Sequence, residues 1–189
     1  MMLVGSFLTS LVVAREWERG TAPALLATPA RSMEILAAKL LPSVLLALSG
    51  HAVALSAALA AFSLPIRGGV AALALFFILT QTLACAFGLW LSALLKQQFL
   101  ANQYALIGSF LPALMLSGFI FDLRSVPEAI GWIGRLMPTT YAVDAFKICF
   151  LSGGSSARLI EDALVLSGFT LLFGALALSA LSRSRKGGG

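Results

Sequence analysis

Ala14-Arg-Glu-Trp-Glu-Arg-Gly-Thr21 is a short charged stretch in a chain that carries little charge elsewhere. Four of its residues are charged, and Trp17 lies in the middle of them. A charge-free apolar run precedes the stretch, and another begins at Leu40. Because so many charged side chains are too costly to bury in hydrocarbon, the stretch is predicted to be a loop at one membrane face. Its alternating charges and single large aromatic side chain are more typical of a docking surface than of a plain connection.

The composition indicates an integral membrane protein. Of the 189 residues, 59% are hydrophobic and 11% are charged, whereas a soluble domain carries about 25% charged residues. An α-helix needs roughly 20 residues to cross the hydrocarbon core. The long apolar runs therefore predict transmembrane helices over residues 40–66, 70–95, 98–121 and 159–182.

The first 14 residues are apolar but give only about 21 Å of helix, which is short for a core of roughly 30 Å. This segment has no Lys or Arg before its apolar part, which argues against a signal peptide. We interpret residues 1–14 as the end of a truncated span. The predicted fold is all-α, a polytopic transmembrane helical bundle with four full spans and a partial N-terminal one.

Basic residues near the span ends predict the orientation, because cytoplasmic loops carry an excess of Lys and Arg. With residues 15–39 in the cytoplasm, that side holds Arg15, Arg19, Arg31, Lys39, Lys96, Arg183, Arg185 and Lys186. The outer side holds Arg67, Arg124, Arg135, Lys147 and Arg158, together with five acidic residues. The net charge of +5 is therefore expected on the cytoplasmic face. There it suits anionic lipid, and nucleic acid is not an expected partner.

A short helix is predicted soon after the charged stretch. Thr21 is suited to cap its start, and Pro29 is suited to end it after about two turns. Leu25 and Leu26 would form the apolar face of this helix.

A second helix is predicted to lead into the span 40–66. Ser32 is suited to cap its start, and Glu34 lies in the first turn, where the helix dipole favours an anion. Pro42 lies inside the helix and predicts a kink near the membrane surface.

Residues 122–157 are too charged to form a span but contain many large apolar side chains. Ser125-Val-Pro-Glu128 has the pattern of a capping box. The helix that it starts would stop at Pro138, and a further helix capped by Thr140 would end at Gly153-Gly154. We expect two short amphipathic helices, interfacial or re-entrant, on the outer side.

Few polar side chains are expected inside the bilayer, and none suggests an enzyme. His51, Gln81, Asn102 and Gln103 are candidates to line a transport pathway, although hydrogen bonding between helices explains them equally well. The predicted spans lack the intramembrane acids or lysines typical of ion-driven carriers, so the energy for transport would come from another chain. Cys85 and Cys149 have no metal-binding spacing and are interpreted as small apolar side chains. No metal or cofactor is predicted.

Two enzymatic functions are excluded because the sequence lacks the motifs that they require. Leu151-Ser-Gly-Gly-Ser155 imitates the signature loop of ATP-binding-cassette ATPases, but the chain has no G-x-x-x-x-G-K-[ST] sequence to hold a nucleotide phosphate. An intramembrane protease would need a G-x-S-G serine or paired acids at membrane depth, and neither pattern is present.

Several stretches resemble the ABC-2 type transporter permeases. The cytoplasmic loop of that family has the patterns R-E-x-E-x-G-T, L-L-x-T-P and E-x-x-x-x-K, which match Arg15 to Thr21, Leu25 to Pro29 and Glu34 to Lys39. Leu116-Ser-Gly-Phe-Ile-Phe121 and Met137-Pro-Thr-Thr-Tyr141 are similar to the family's outer region before its last span. The chain departs from the family in having Ser152-Gly-Gly154 where a basic residue before a single glycine is common. It also lacks the family's first span, large external domain and most of the second span.

The resemblance implies the C-terminal part of a six-span exporter permease in a bacterial cytoplasmic membrane. Residues 15–39 would be the coupling segment that docks on a separate ATP-binding-cassette ATPase, and a second permease chain would complete a homodimer or heterodimer. ATP would bind to the partner ATPase. The docking residues that this implies are Arg15, Glu16, Trp17, Glu18, Arg19, Gly20, Thr21, Leu25 and Leu26.

Alternatives to a coupling role stay open on the residues alone. Arg15 and Arg19 also satisfy the positive-inside rule, and Trp17 is suited to a membrane interface. A non-transporting membrane scaffold or an inactive permease fragment is the alternative function. The sequence does not reveal the substrate.

Overall fold

A computed structural model describes residues 2–26, 28–62, 69–115, 137–152 and 156–186. Its α-helices are α1 (Met2–Glu18), α2 (Ala22–Leu26), α3 (Ser32–Phe62), α4 (Val70–Leu95), α5 (Gln98–Met115), α6 (Pro138–Lys147) and α7 (Ser156–Lys186). A π-helical segment, Ile148–Ser152, follows α6 directly. These ranges contain helices and no strand, so the predicted all-α class is confirmed.

Three of the described helices are long and apolar enough to cross a membrane, namely α3, α4 and Ala157–Arg185 of α7. They correspond to three of the four predicted spans. α5 covers the first part of the predicted span 98–121, whereas residues 116–121 lie outside the described residues. The count of four full spans and one partial span therefore stays a prediction.

Two core clusters at opposite ends of the bundle show the relative directions of the long helices. The first cluster contains early residues of α4 and α7, namely Leu73, Phe76 and Leu166, with Ala142 of α6. The second contains late residues of α1, α4 and α7 with an early residue of α3, namely Val13, Leu89, Leu181 and Leu36. Leu48 and Leu55, further along α3, pack against the first cluster. α3 therefore runs opposite to α4 and α7.

α4 is the central helix of the described bundle. It packs against α1, α3, α5 and α7. Half of its most apolar segment is buried inside the molecule, compared with 6% for α3 and 17% for α7. α3 and α7 therefore present most of their apolar side chains outward, as expected for helices that face lipid.

Small side chains let α1 approach α4 closely. Gly88 faces the backbone of Ser6, and a Cβ at Gly88 would overlap the Ser6 carbonyl oxygen and lie 2.8 Å from its Cα. The Ser92 hydroxyl accepts hydrogen bonds from the backbone N–H groups of Val13 and Ala14, at 3.1 and 2.8 Å. Helices in lipid gain no hydrophobic attraction to each other, so close packing and such hydrogen bonds hold them together.

α5 joins the same seam from the other side of α1. The Ser6 hydroxyl donates to Ser109 Oγ at 2.9 Å, and the Ser10 hydroxyl donates to Asn102 Oδ1 at 3.4 Å. Neutral hydrogen bonds therefore link α1 and α5 at two levels, about one helical turn apart.

The prediction that the charged stretch is a loop was wrong for its first half. α1 continues through Glu18, so Arg15 to Glu18 are helical. Only Arg19 to Thr21 form the turn. A helix can continue beyond the apolar segment, because water at the membrane surface solvates the charged side chains and the backbone hydrogen bonds of the helix stay intact.

Two predicted helix caps were displaced, by one residue at Ser32 and by three residues at Thr140. α3 begins at Ser32 itself, and the Glu34 carboxylate accepts a 2.9 Å hydrogen bond from the Arg31 backbone N–H, so Glu34 caps this end. α6 begins at Pro138, two residues before the predicted cap Thr140. The fixed φ and missing N–H of proline suit this first helical position, and the preceding helix that Pro138 was predicted to stop lies outside the described residues. The kink at Pro42 stays a prediction.

Of the predicted outer helices, α6 and the π-helical segment are described. The capping box Ser125 to Glu128 and the stop at Gly153-Gly154 lie outside the described residues.

Candidate functional site

The predicted docking stretch lies at the end of the bundle where α1, α4 and α7 finish and α3 and α5 begin. We call this the basic end, because Arg15, Lys39, Lys96 and Arg185 lie there beside the second core cluster. All eight basic positions that were assigned to one side fall at this end, since Arg19 follows α1, Arg31 precedes α3, and Arg183 and Lys186 lie in the last turn of α7. Residues far apart in sequence thus share one end, as the charge distribution predicted.

Glu16 joins α1 to α3. Its Oε1 forms a salt bridge and hydrogen bond with Lys39 Nζ, and the Lys39 side chain is only 10% exposed. Glu16 was predicted to dock on an ATPase. In this structure its carboxylate is already paired within the chain, where a half-buried ion pair is more costly to break than an exposed one.

Glu18 joins α1 to α5. Its carboxylate accepts a hydrogen bond from the Gln98 backbone N–H at 2.6 Å and a second one from Gln98 Nε2. Gln98 is the first residue of α5, so the carboxylate also lies at the positive end of that helix dipole. These hydrogen bonds from Gln98 lower the pKa of Glu18. Arg15 Nε donates to the Gln98 side-chain oxygen at 3.3 Å and extends the same contact.

Trp17 joins α1 to the α4–α5 turn. The Lys96 ammonium lies 4.1 Å from the centroid of the Trp17 ring, which is a cation–π contact. Lys96 has a left-handed φ of 56°, and its N–H bonds to the Ser92 carbonyl to end α4. The turn therefore points its lysine at the aromatic ring of the charged stretch.

Gly20 ends α1 and starts the turn towards α2. Its φ is +70°, which glycine adopts without steric cost. The Thr21 N–H bonds to the Glu16 carbonyl at 2.9 Å, and the Gly20 N–H bonds to the Trp17 carbonyl at 3.1 Å. This is the Schellman pattern of a helix end. The Thr21 carbonyl accepts a hydrogen bond from the Leu25 N–H at 3.1 Å, so Thr21 lies at the predicted capping position of α2. Its hydroxyl donates to the Glu16 carbonyl at 3.3 Å and so closes the end of α1.

α2 presents its side chains at the surface of the basic end. Pro23 and Ala24 are exposed and Leu25 is half-buried, whereas the Leu26 side chain lies outside the described residues. After α2, the backbone carbonyls of Thr28 and Ala30 accept hydrogen bonds from Arg185 Nη2 and Nη1, at 2.8 and 2.9 Å. The C-terminal end of α7 thus contacts the connection between α2 and α3.

The four predicted pathway residues are not brought together. His51 Nδ1 lies 2.6 Å from the Ala47 carbonyl of its own helix, and its ring lies 6.5 Å from that of Phe77. Gln81 is buried beside Gly5, and its Oε1 has no partner among the described residues. Asn102 accepts from Ser10 between helices, whereas Gln103 is exposed on α5. The pathway role of these residues stays a prediction, and the bonding of Asn102 agrees with its structural alternative.

Comparison with known proteins identifies the family. A model of the ABC-2 type transporter family matches residues 1–151. The chain belongs to the ABC-2 type transporter family. The resemblance read from the charged stretch is confirmed, and the matched region contains the whole stretch and α2.

The relatives of this ABC-2 chain include bacterial permeases. It is 38% identical over 175 residues to the probable multidrug ABC transporter permease YbhS of Escherichia coli K12, an alignment that covers 92% of this chain and 46% of that protein. It is 29% identical over 150 residues to the probable multidrug ABC transporter permease YbhR of the same strain, covering 78% and 40%. ABC transporter G family member 20 of Dictyostelium discoideum is 31% identical over 149 residues, covering 77% and 20%. The chain therefore spans about half the length of the bacterial relatives. No solved structure matches it.

The contacts that organise the basic end of this ABC-2 chain were not predicted from the sequence. Lys39 and Lys96 were counted only as charges, and Gln98 and Arg185 were given no individual role. The α1–α4 seam was also missed, although Gly5, Thr9 and Val13 recur at helical spacing on one face and could have indicated it.

Proposed function

We propose that this chain is part of the membrane-spanning permease of an ABC-2 exporter, which couples ATP hydrolysis on a separate ATPase chain to the transport of a substrate. The family match over residues 1–151 carries the proposal. The matched stretch is also the one whose side chains contact α3, α5 and the α4–α5 turn. A push on this stretch would therefore reach several helices at once.

In this proposal the basic end faces the cytoplasm and rests on the ATPase. Glu16 and Glu18 shape the coupling segment through their internal partners, and the exposed face of α2 makes the contact. Leu25 and Leu26 would fill an apolar groove, while Arg15 and Arg19 would lie at its polar rim. In this proposal Glu16 and Glu18 hold the coupling segment, whereas Leu25, Leu26, Arg15 and Arg19 contact the ATPase.

The assembly follows from the family. A second permease chain would pair with this one in a bacterial cytoplasmic membrane. Each chain would contribute four full spans and a partial one. The permeases YbhS and YbhR are named as probable multidrug transporters. Apolar drug-like molecules are therefore the first substrate class to test here.

A pulldown of the tagged full chain from membranes in detergent tests the docking role. Leu25→Asp should lower the amount of co-purified ATP-binding-cassette ATPase at least about tenfold, because it replaces a buried apolar contact by a carboxylate, a change worth roughly 2–3 kcal/mol. Ala157→Asp puts the same carboxylate on an exposed position at the opposite end of the molecule and should leave the yield unchanged.

Undiminished ATPase in the Leu25→Asp pulldown would contradict docking through α2. An ATPase that is captured but drives no uptake of fluorescent apolar compounds into inverted vesicles would favour the non-transporting scaffold instead.

A further inference from the structure

The connection between α2 and α3 receives two hydrogen bonds from a residue more than 150 positions away in sequence. Arg185 Nη2 donates to the Thr28 carbonyl at 2.8 Å, and Arg185 Nη1 donates to the Ala30 carbonyl at 2.9 Å. The two carbonyls flank Pro29. A guanidinium group presents a planar fork of donors, and here two of its arms hold the backbone on both sides of one proline.

Arg185 is held in place by the bundle core. Leu181, one helical turn before it on the same face of α7, is 3% exposed and belongs to the second core cluster with Leu36 of α3. The guanidinium therefore extends from a packed helix end. The carbonyls that it contacts lie just before α3, whose start is packed through Leu36 in that cluster.

The opposite end of α2 is also held. The Schellman turn at Gly20 joins α2 to α1, and Glu18 joins α1 to α5. α2 has only five residues, too few to be stable by themselves. Its orientation therefore depends on these two ends. The connection that follows α2 has local side-chain hydrogen bonds from the Thr28 hydroxyl to the Leu25 carbonyl and from the Arg31 N–H to Glu34, whereas Arg185 contacts it from a distant helix.

We propose that Arg185 is a positioning residue for the coupling segment: the C-terminal end of α7 holds the α2–α3 connection and so fixes the direction in which α2 faces the partner. The coupling role rests on the proposed function, but the position of α2 does not. Loss of Arg185 would leave α2 attached to α1 and free to vary at its other end. Only a fraction of molecules would then present α2 correctly, and the apparent affinity for the ATPase would fall by that fraction.

Spin labels on the full chain test the position directly. A nitroxide is placed on Ala24→Cys, an exposed position of α2, in a background with Cys85→Ala and Cys149→Ala. Arg185→Ala should narrow the spectrum as the label loses its immobilised component. Arg183→Ala removes the same charge from an exposed position at the same end of α7 and should leave the spectrum unchanged. Arg185→Lys should retain part of the immobilised component, because one ammonium group replaces the two donor nitrogens of the guanidinium.

A second label, on Ala157→Cys at the opposite end of the molecule, shows whether the bundle is intact and should not respond to Arg185→Ala. An Ala24 spectrum that is unchanged by Arg185→Ala, or equally changed by Arg183→Ala, would overturn the proposal.

ATPase capture separates this inference from the proposed function. Arg185→Ala should lower capture by a factor of roughly 3 to 10, with partial recovery in Arg185→Lys. If the wild-type chain captures no ATPase, the proposed function fails, and the spectra still decide whether Arg185 holds α2. If α2 becomes mobile while capture is unchanged, the coupling part of the inference is wrong.

Discussion

At the scale of single residues, the acids of the charged stretch act on the chain itself. Glu18 accepts two hydrogen bonds from Gln98 at the start of α5, and Glu16 pairs with Lys39 of α3. An acidic residue in a recognition motif is readily assigned to a partner protein. Here the same carboxylates decide how the motif is held, so their substitution would change docking indirectly.

The pKa of Glu18 gives a pH-dependent test. Hydrogen bonds from Gln98 lower the pKa of Glu18 below its ordinary value of 4.5. The charged form is therefore favoured in the folded state, and the stability that it adds is present above pH 4.5 and lost as the pH falls through the lowered pKa. Glu18→Gln should thus unfold at a lower temperature than wild type at pH 7, and the difference should shrink as the pH falls below 4.5.

Thermal unfolding in detergent measures this difference. Glu161→Gln removes an exposed carboxylate near the opposite end of α7 and should unfold at the wild-type temperature at pH 7. A Glu18→Gln gap that stays constant down to pH 3 would contradict the role given to the carboxylate.

At the scale of helices, small residues decide which faces meet. Gly88 allows α4 to touch the α1 backbone at Ser6, and Ser92 bonds to α1 one turn further along. Gly108 of α5 similarly lies against the Phe87 ring. The contacts of Gly88 and Ser92 set the rotation of α1 about its axis. They therefore also set the direction in which Glu16, Trp17 and Glu18 point at the end of α1.

Gly88→Ala tests this packing. The added methyl group would meet backbone that cannot move aside as a flexible side chain would, so α1 and α4 must separate. We expect a loss of about 1–3 kcal/mol in the free energy of unfolding, measured by titration with SDS in mixed micelles. Gly174→Ala adds the same methyl group where nothing lies within 4 Å and should be neutral or slightly stabilising. Equal stabilities of the two variants would show that the close approach is unimportant.

At the scale of the whole molecule, the bundle has a basic end and an opposite end with mixed charges. α7 passes between them, from Ala157 to Arg185. The basic end gathers the finish of α1, the α4–α5 turn and the finish of α7 around the second core cluster. The positive-inside rule predicts that this end faces the cytoplasm, where the proposed function requires it to meet an ATPase.

Cysteine labelling in cells tests this orientation. Thr21→Cys and Ala157→Cys are made separately in a background without Cys85 and Cys149, since both positions are exposed. A membrane-impermeant maleimide should modify Ala157→Cys in intact cells and Thr21→Cys only after the membrane is opened. Modification in the reverse order would invert the orientation and remove the basis for docking.

Local patterns were enough to predict much of this structure. The apolar runs predicted α3, α4 and α7 because hydrocarbon excludes charge over a length set by the bilayer. The short helix after Thr21 was predicted because proline and glycine limit the backbone locally. Predicted caps were displaced by one residue at Ser32 and by three residues at Thr140, because local sequence does not fix the exact end of a helix.

The charged stretch alone indicated a segment at a membrane face and the ABC-2 family, because clustered charges are costly to bury in lipid and their spacing matches that family's pattern. Only the tertiary structure decided what each side chain does there. Glu16 and Lys39, Glu18 and Gln98, and Arg185 and Thr28 are brought together by the rotation and depth of packed helices. Those depend on contacts such as Gly88 with Ser6, which join distant parts of the chain, and a local pattern of small residues does not say which two helices will meet.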